Sequence, residues 1–280
     1  MSTKTLVIGC GYVGLPLALR LKEAGHEIDA WVHTAASAES LAPHQFHCVI
    51  DGSVADPRLW DAVSQDYGLV IHCASSGRGG EVAYEEVFFQ GALMMGARQP
   101  CAKKLFVSST SVYGQTRGEV VTEESPAAPL TATGRILREA ERAALASGAT
   151  VARSTGIYGP NRGLLFEKFR QGEAVIEGDG LRWINQIHQG DLVAALARLV
   201  EAGAPGEIYN AADDTPVTMR DYYAWCSEFL GQAMPPYGPV DPLRKRGLTN
   251  KRVSNAKLRA TGWRPIYPSF REGIAADHSR

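Results

Sequence analysis

The chain has 280 residues, of which 45% are hydrophobic and 21% charged, and its formal net charge is -1. These values are typical of a globular protein with one large domain or a domain and a smaller lobe. The small net charge excludes a global electrostatic attraction to nucleic acid or membrane surfaces. No apolar run approaches the roughly 20 residues of a membrane span. Five scattered cysteines without Cys-x-x-Cys spacing argue against a disulfide framework or a zinc site, and with the lack of a signal peptide they predict a cytoplasmic protein without a metal.

The predicted elements alternate between strands and helices from the start of the chain. A short apolar run at 5–8 precedes a glycine-rich segment, and a helix follows with one apolar face. Further strands are predicted at 28–32, 49–50, 69–72, 105–107 and 150–153, with helices at 57–63, 82–97 and 133–147 between them. This alternation predicts right-handed βαβ units and an α/β fold with a Rossmann-type, doubly wound parallel sheet.

Glycine, proline and loop signals become denser after residue 159. We therefore predict a dinucleotide-binding domain over 1–159, to which 187–212 return with a helix at 191–201. The remaining segments, 160–186 and 213–280, are predicted to form a smaller mixed α/β substrate lobe.

The segment Gly9-Cys10-Gly11-Tyr12-Val13-Gly14 is a G-x-G-x-x-G motif placed directly between a strand and a helix. In that context the first glycine allows a tight turn, the second allows close approach of a pyrophosphate, and the third allows helix and strand to pack closely. The helix N-terminus then faces the phosphates with backbone N–H groups. The motif predicts dinucleotide binding by Gly9, Gly11, Tyr12, Val13 and Gly14; the alternative is a tight turn without a ligand.

The end of the second predicted strand indicates which dinucleotide is bound. An acidic side chain usually holds the ribose 2′-hydroxyl there in NAD-binding folds. Val32 occupies that place and Asp29 lies too early, whereas His33 and Thr34 could contact a 2′-phosphate. We therefore predict NADP as the cofactor, with NAD as the alternative.

Six segments in order along nearly the whole chain resemble those of the extended short-chain dehydrogenase/reductases, the superfamily of sugar-nucleotide epimerases and dehydratases. They are 52–57, 70–75, 107–114, 153–160, 187–192 and 209–216. The segments 250–255 and 262–268 resemble a bacterial, epimerase-like subgroup that is classed as atypical. The resemblance implies cofactor contacts by Ser53, Val54, Cys73, Ala74, Ser75, Ser108, Ser154, Thr155 and Ile157, and a small-molecule substrate.

The chain departs from this family at the catalytic Tyr-x-x-x-Lys motif. The segment 128–138 contains neither Tyr nor Lys, and the alignment puts Thr131 at the Tyr position and Arg135 at the Lys position. An aliphatic hydroxyl stays protonated at any useful pH, so Thr131 cannot replace the phenol as an acid. Arg135 could supply positive charge near the ribose. Phe88 replaces the asparagine of the family's Asn-x-x-Gly pattern.

Ser109 remains at the catalytic Ser/Thr position, although its hydroxyl could instead satisfy the local backbone. Tyr113, Tyr158 and His188 are other candidate proton donors, and structural roles are favoured for all three. Two further features stay open: Arg182 with Trp183 could hold a substrate anion or belong to the lobe core, and the basic cluster Arg244-Lys245-Arg246 with Lys251-Arg252 could hold an acidic ligand or be solvated.

These observations predict an NADP-dependent oxidoreductase or epimerase-like enzyme with a non-standard proton donor. The alternative is a non-catalytic NAD(P)-binding redox sensor or partner-binding protein, favoured by the loss of Tyr and Lys. No nucleic-acid or membrane partner is predicted, and a homodimer stays open.

Overall fold

A computed structural model describes residues 2–77, 79–240 and 247–279. Its strands are β1 Lys4–Ile8, β2 Glu27–Val32, β3 Cys48–Asp51, β4 Leu69–His72, β5 Lys103–Ser109, β6 Glu119–Val121, β7 Thr150–Ser154, β8 Gly156–Tyr158, β9 Ile176–Glu177, β10 Trp183–Ile184, β11 Gln186–His188, β12 Ile208–Ala211, β13 Val217–Thr218, β14 Tyr237–Gly238 and β15 Lys251–Val253. Its helices are α1 Gly14–Glu23, α2 Ala35–Leu41, α3 Pro57–Ala62, α4 Glu81–Tyr84, α5 Gly91–Arg98, α6 Ala132–Ala146, α7 Leu164–Arg170, α8 Gln189–Ala202, α9 Met219–Leu230, α10 Ala256–Ala260 and α11 Phe270–His278.

A seven-stranded sheet has the order β12-β7-β5-β4-β1-β2-β3, and the pairings of β1 with β2, β1 with β4, β2 with β3 and β4 with β5 are all parallel. Leu6, Val7 and Ile8 of the central strand β1 are at most 1% exposed. Strands of a parallel sheet are covered on both faces, which is why these segments are continuous apolar runs rather than alternating ones. The predicted α/β, Rossmann-type parallel sheet is confirmed.

The chain divides into two compact units. Unit 1 comprises the described residues within Met1–Val112, Ala127–Arg153 and Val193–Tyr209, and unit 2 those within Tyr113–Pro126, Ser154–Leu192 and Asn210–Arg280. The predicted boundaries differ from this division at 113–126, 154–159, 187–192 and 210–212. Strand pairing accounts for 113–126, 154–159 and 187–192, because β6 pairs with β15 and β8 pairs with β11, which ties these three segments to unit 2.

A continuous helix in unit 1 contains a π-helical turn. Glu85–Gln90 form this turn between α4 and α5, and the junction residues keep right-handed helical torsion angles. The prediction of a single helix at 82–97 did not include the turn. Such turns occur frequently at functional sites.

An aromatic core fills unit 2. Phe169 and Tyr223 stack with ring centroids 5.8 Å apart, and Tyr222 lies 4.5 Å from Phe270. No helix among the described residues is both long enough and apolar enough to cross a membrane.

Candidate functional site

The glycine loop between β1 and α1 is held by backbone contacts within unit 1. Gly9 has φ +88°, and its N–H donates to the carbonyl oxygen of Trp31 at 2.8 Å. A Cβ on Gly9 would collide with the backbone of Ala74, and one on Gly14 would collide with the carbonyl oxygen of Gly9. Packing within the protein therefore accounts for the first and third glycines of the motif.

Gly11 is different, because a Cβ on it would meet no atom within 4 Å and its φ is not positive. Neither packing nor torsion strain within the protein requires a glycine here. The first turn of α1 holds no acidic residue, so no carboxylate of that turn offsets the positive end of the helix dipole. Open space at Gly11 beside this helix N-terminus fits the pyrophosphate of a dinucleotide.

The end of β4, where cofactor contacts were predicted, lies against this loop. The N–H of Cys73 donates to the carbonyl oxygen of Ile8 at 2.7 Å, and Ala74 packs on Gly9. Burial raises the pKa of the Cys73 thiol, so this side chain stays protonated. Ser75 is exposed and accepts from the N–H of Gly77 at 3.2 Å. Tyr12 is half-buried and Val13 is buried in the turn that starts α1.

The far edge of the loop carries the residues predicted to select the cofactor. His33 and Thr34 are exposed directly after β2, and the Thr34 hydroxyl accepts from the N–H of Ser37 at 3.2 Å as the N-cap of α2. Val32 is buried and pairs in register with Asp51 at the end of β3. Asp51 is an exposed acid at this edge that was not predicted from the sequence, because only the strand register brings it beside Val32.

Ser53 and Val54 have structural contacts of their own. The Ser53 hydroxyl donates to Glu86, in the π-helical turn, and accepts from the N–H of Ala55 at 3.2 Å. Val54 is buried, and its carbonyl oxygen accepts from the indole N–H of Trp60 at 2.7 Å. The hydroxyl hydrogen of Ser53 is therefore engaged, so Ser53 could meet a cofactor as an acceptor or by giving up its bond to Glu86.

Two neighbouring serines at the end of β5 have different environments. Ser108 is buried and its hydroxyl donates to Glu141 Oε1 at 2.7 Å; Glu141 also accepts from Arg153 in two hydrogen bonds, at 2.8 and 2.7 Å. Ser109 is half-buried and its Oγ accepts from the N–H of Ser111 at 3.2 Å. The acceptor role of Ser109 leaves its O–H available as a donor, so the structural and the catalytic interpretations are compatible.

Thr131 is the N-cap of α6. Its hydroxyl accepts from the N–H of Gly134 at 3.0 Å, and its extended backbone lies outside the helix. Arg135 is exposed in the first turn of that helix. A Cβ on Gly134 would lie 3.5 Å from the Ser111 carbonyl oxygen, which shows that the turn after Ser109 packs against this helix start. The structure thus brings the predicted catalytic positions of unit 1 to one region.

The remaining predicted cofactor residues lie in unit 2. The Thr155 hydroxyl and N–H both donate to the carbonyl oxygen of Ala211, at 3.1 and 3.0 Å. Ser154 is buried and donates to the carbonyl oxygen of Thr155 at 3.1 Å. Ile157 is half-buried in β8 and pairs with Ile187. Both hydroxyls donate locally, so only their oxygen lone pairs could accept a hydrogen bond from a cofactor.

The alternative proton donors are buried within unit 2. Tyr113 is 0% exposed and its hydroxyl lies 2.9 Å from both the Thr122 carbonyl oxygen and Asn210 Oδ1. Burial raises the pKa of Tyr158 far above its usual range. His188 Nδ1 accepts from the N–H of Gly190 at 3.0 Å, so in the neutral ring the hydrogen is on Nε2. Nε2 lies 3.3 Å from Asp277. These contacts support the structural roles favoured from sequence.

Unit 2 also contains a cavity of about 240 Å³ that is lined by Arg182. The guanidinium of Arg182 lies against the backbone of Gly247, where a Cβ would be 3.2 Å from its Nη1. Trp183 is half-buried and the Arg252 guanidinium lies 5.2 Å from its ring. Arg244, Lys245 and Arg246 lie outside the described residues.

The sequence profile of the NAD dependent epimerase/dehydratase family matches residues 5–212. Protein YeeZ of Escherichia coli (strain K12) is 26% identical, covering 90% of this chain and 93% of that protein. A 3-diazoavenalumate denitrifying reductase of Streptomyces sp is 27% identical, covering 98% of this chain and 100% of that protein. Among solved structures, dTDP-glucose 4,6-dehydratase of Bacillus anthracis in complex with NAD has a TM-score of 0.82 at 20% identity, covering 99% and 96% of the two chains, and this likeness concerns the fold.

Proposed function

Because the chain belongs to the NAD-dependent epimerase/dehydratase family, we propose that it is an oxidoreductase that binds a nicotinamide dinucleotide and transfers hydride to a small molecule without a catalytic tyrosine. The open space at Gly11 carries the cofactor part of this proposal, because this glycine lies in a strand-to-helix glycine loop and the protein's own packing does not require it, so the approach of a pyrophosphate explains it. The bound reduced cofactor would supply the hydride.

The arrangement of unit 1 favours an acceptor that needs no proton. Thr131 uses its hydroxyl to cap α6, and Arg135 is exposed, so neither takes the place of an acidic phenol. An iminium ion is already protonated, and hydride converts it to an amine directly. A diazonium carbon that accepts hydride forms a C–H bond and releases N₂, again without an acid. The relative from Streptomyces is, by its name, a denitrifying reductase of a diazo compound.

Ser109 has the role of a hydrogen-bond donor to the reacting group. Its oxygen accepts from the N–H of Ser111, which orients the side chain while its O–H stays available. A single well-placed donor of this kind contributes about 2 to 4 kcal/mol to transition-state stabilisation. The neighbouring Ser108 on the same strand is held in place by its hydrogen bond to the buried Glu141.

We further propose a preference for NADP over NAD. His33 and Thr34 directly follow β2, which does not end in an acidic residue. Both side chains are exposed where a 2′-phosphate would lie. The competing group is Asp51 on β3, beside Val32. If the preference is correct, Val32→Asp weakens NADPH binding at least tenfold while Asp51→Asn leaves the ratio of NADPH to NADH affinity above one. Tighter binding of NADH than of NADPH by the wild type would refute it.

The test of hydride transfer uses dinucleotide deuterated at the transferable position and a panel of matched acceptors. We expect deuterium in the products of cyclic iminium or aryl diazonium ions, and turnover of the ketones that correspond to the iminium ions at least 100-fold slower. Stoichiometric binding of the reduced cofactor without deuterium transfer to any member of the panel would instead support a sensor. Ketone turnover equal to that of the cations would remove the argument from the missing tyrosine.

A homodimer remains a proposal, with one face of unit 1 as its candidate surface. Val82 and Leu93 are 82% and 42% exposed on the helix that contains the π turn. Val82 also lines an open groove with Ile136 of α6. Light scattering of the wild type and of Val82→Arg tests it, because a dimer formed through this face would dissociate in the variant.

A further inference from the structure

Unit 2 contains a buried lysine beside the cavity lined by Arg182. Lys251 lies on β15, which pairs in parallel with β6, and it is only 6% exposed. Its ammonium donates to the hydroxyl oxygen of Thr249 at 2.6 Å and to the carbonyl oxygen of Tyr113 at 3.4 Å. Both acceptors are neutral, so the hydrogen bonds found for this ammonium supply no opposite charge, and burying such a cation is costly.

Thr249 connects this lysine to the cavity that it lines. Because its oxygen accepts from the ammonium of Lys251, its own hydrogen is directed away from the lysine and can be donated to a ligand. Asn250 lines the same cavity, and its Oδ1 accepts from the N–H of Trp183 at 2.9 Å. Because the side-chain oxygen of Asn250 is already used in that bond, its amide N–H groups are the atoms that can donate to a ligand. Arg182 adds the charged donors of its guanidinium.

From this convergence of donors we propose that the cavity binds the carboxylate of a substrate, with Thr249 as the contact that Lys251 orients and polarises. Carboxylates match the planar donor set of a guanidinium, and charge-assisted hydrogen bonds are the strongest in proteins. That this carboxylate belongs to the substrate rests on the proposed function; the existence of the site does not.

The surroundings favour a single negative charge on an apolar body. Glu177 and Asp179 line the same cavity, and a phosphate with about two charges would meet more repulsion from them than a carboxylate would. Leu181, Val240 and Leu248 stand around the cavity with 46%, 47% and 37% of their surfaces exposed. These side chains offer apolar contact to the carbon skeleton of the ligand.

The lowered pKa of Lys251 agrees with this site. Burial, with the positive charge of Arg182 as a second cause, lowers the pKa of Lys251 to about 8. An anion in the cavity would bring negative charge to this pair of cations and would raise the pKa of Lys251 again.

The test uses three probes that share a phenyl ring: benzoate, neutral benzamide and phenyl phosphate. Binding to the whole protein is measured by ligand-observed NMR without any dinucleotide, so a failure here is separate from a failure of hydride transfer. We expect benzoate to bind at least tenfold more tightly than benzamide and more tightly than phenyl phosphate. Equal binding of benzoate and benzamide would overturn the anion site, and preference for phenyl phosphate would overturn the single charge.

Matched variants assign the residues. Thr249→Val should weaken benzoate binding about tenfold, the loss expected for one hydrogen bond to a charged group, whereas Thr249→Ser should restore it. Lys251→Met should cause a similar loss, and Lys168→Met, which removes one exposed positive charge from the same unit, should not. If Thr249→Val binds benzoate as the wild type does, the contact through Thr249 is wrong even where Lys251→Met fails to fold.

Discussion

The hydroxyl of Thr131 accepts a 3.0 Å hydrogen bond from the N–H of Gly134 and thereby caps α6. We predict that Thr131→Val lowers the free energy of unfolding by about 1 kcal/mol, the usual contribution of an N-cap, and keeps most of the turnover. Thr131→Ser should retain both properties. Urea unfolding and steady-state kinetics measure these effects. Loss of turnover in a folded Thr131→Val that still binds NADPH would contradict the assignment.

A second prediction separates the two serines at the end of β5. Ser109→Ala should reduce kcat/KM about 10- to 1000-fold with cofactor binding unchanged, because one donor to the reacting group is removed. Ser108→Ala, its neighbour, should instead reduce stability, since Ser108 donates to Glu141. The reverse pattern, with turnover lost only in Ser108→Ala, would mean that β5 presents the other serine to the substrate.

The buried ion pair of unit 1 provides a third prediction. Glu141 is 0% exposed and forms two hydrogen bonds to Arg153, whereas Glu139 on the same helix pairs with Arg142 at the surface. Glu141→Gln should therefore lower the free energy of unfolding by about 3 to 5 kcal/mol, because a buried guanidinium loses its counter-charge. Glu139→Gln should cost under about 1 kcal/mol. Equal effects in thermal or urea unfolding would contradict this account of the network.

The lowered pKa of Lys251 predicts a specific dependence of stability on pH. Its pKa is about 8 in the folded protein against 10.5 for the free side chain. Between these values the unfolded state binds the proton and the folded state does not, so the free energy of unfolding rises with pH. Relative to Lys251→Met, the wild type should gain up to about 3 kcal/mol across this interval. Unfolding curves that keep a constant difference across this interval would show that Lys251 has an ordinary pKa.

The main sheet was predictable because its signals are local. The observed β4 coincides with the predicted 69–72, and α6 differs by one residue at each end from the predicted 133–147. In these segments regularly spaced apolar residues are followed or preceded by capping or turn residues. Both signals can be seen within a short stretch of sequence. The roles of Gly9 and Gly14 follow from the same local pattern.

The small strands of unit 2 were not predictable in the same way. β15 pairs with β6 about 130 residues earlier, and three residues carry too little pattern to reveal such a partner. The site beside Lys251 depends on that pairing. One signal in the sequence was that Lys251 and Val253 are two residues apart, so in a strand both would lie on the same face. Asp51 was missed for a similar reason, since only the register with Val32 gives it a place near the cofactor loop.

The account depends most on dinucleotide binding at Gly11, and fluorescence titration of NADPH tests it directly. A side chain at Gly11 meets no protein atom within 4 Å, so Gly11→Val should fold as the wild type does while its isopropyl group fills the space assigned to the pyrophosphate. Gly80→Val is the matched control, because a Cβ there also meets no atom within 4 Å. We predict NADPH affinity at least tenfold lower in Gly11→Val and unchanged in Gly80→Val. Wild-type affinity in a folded Gly11→Val would contradict the central claim.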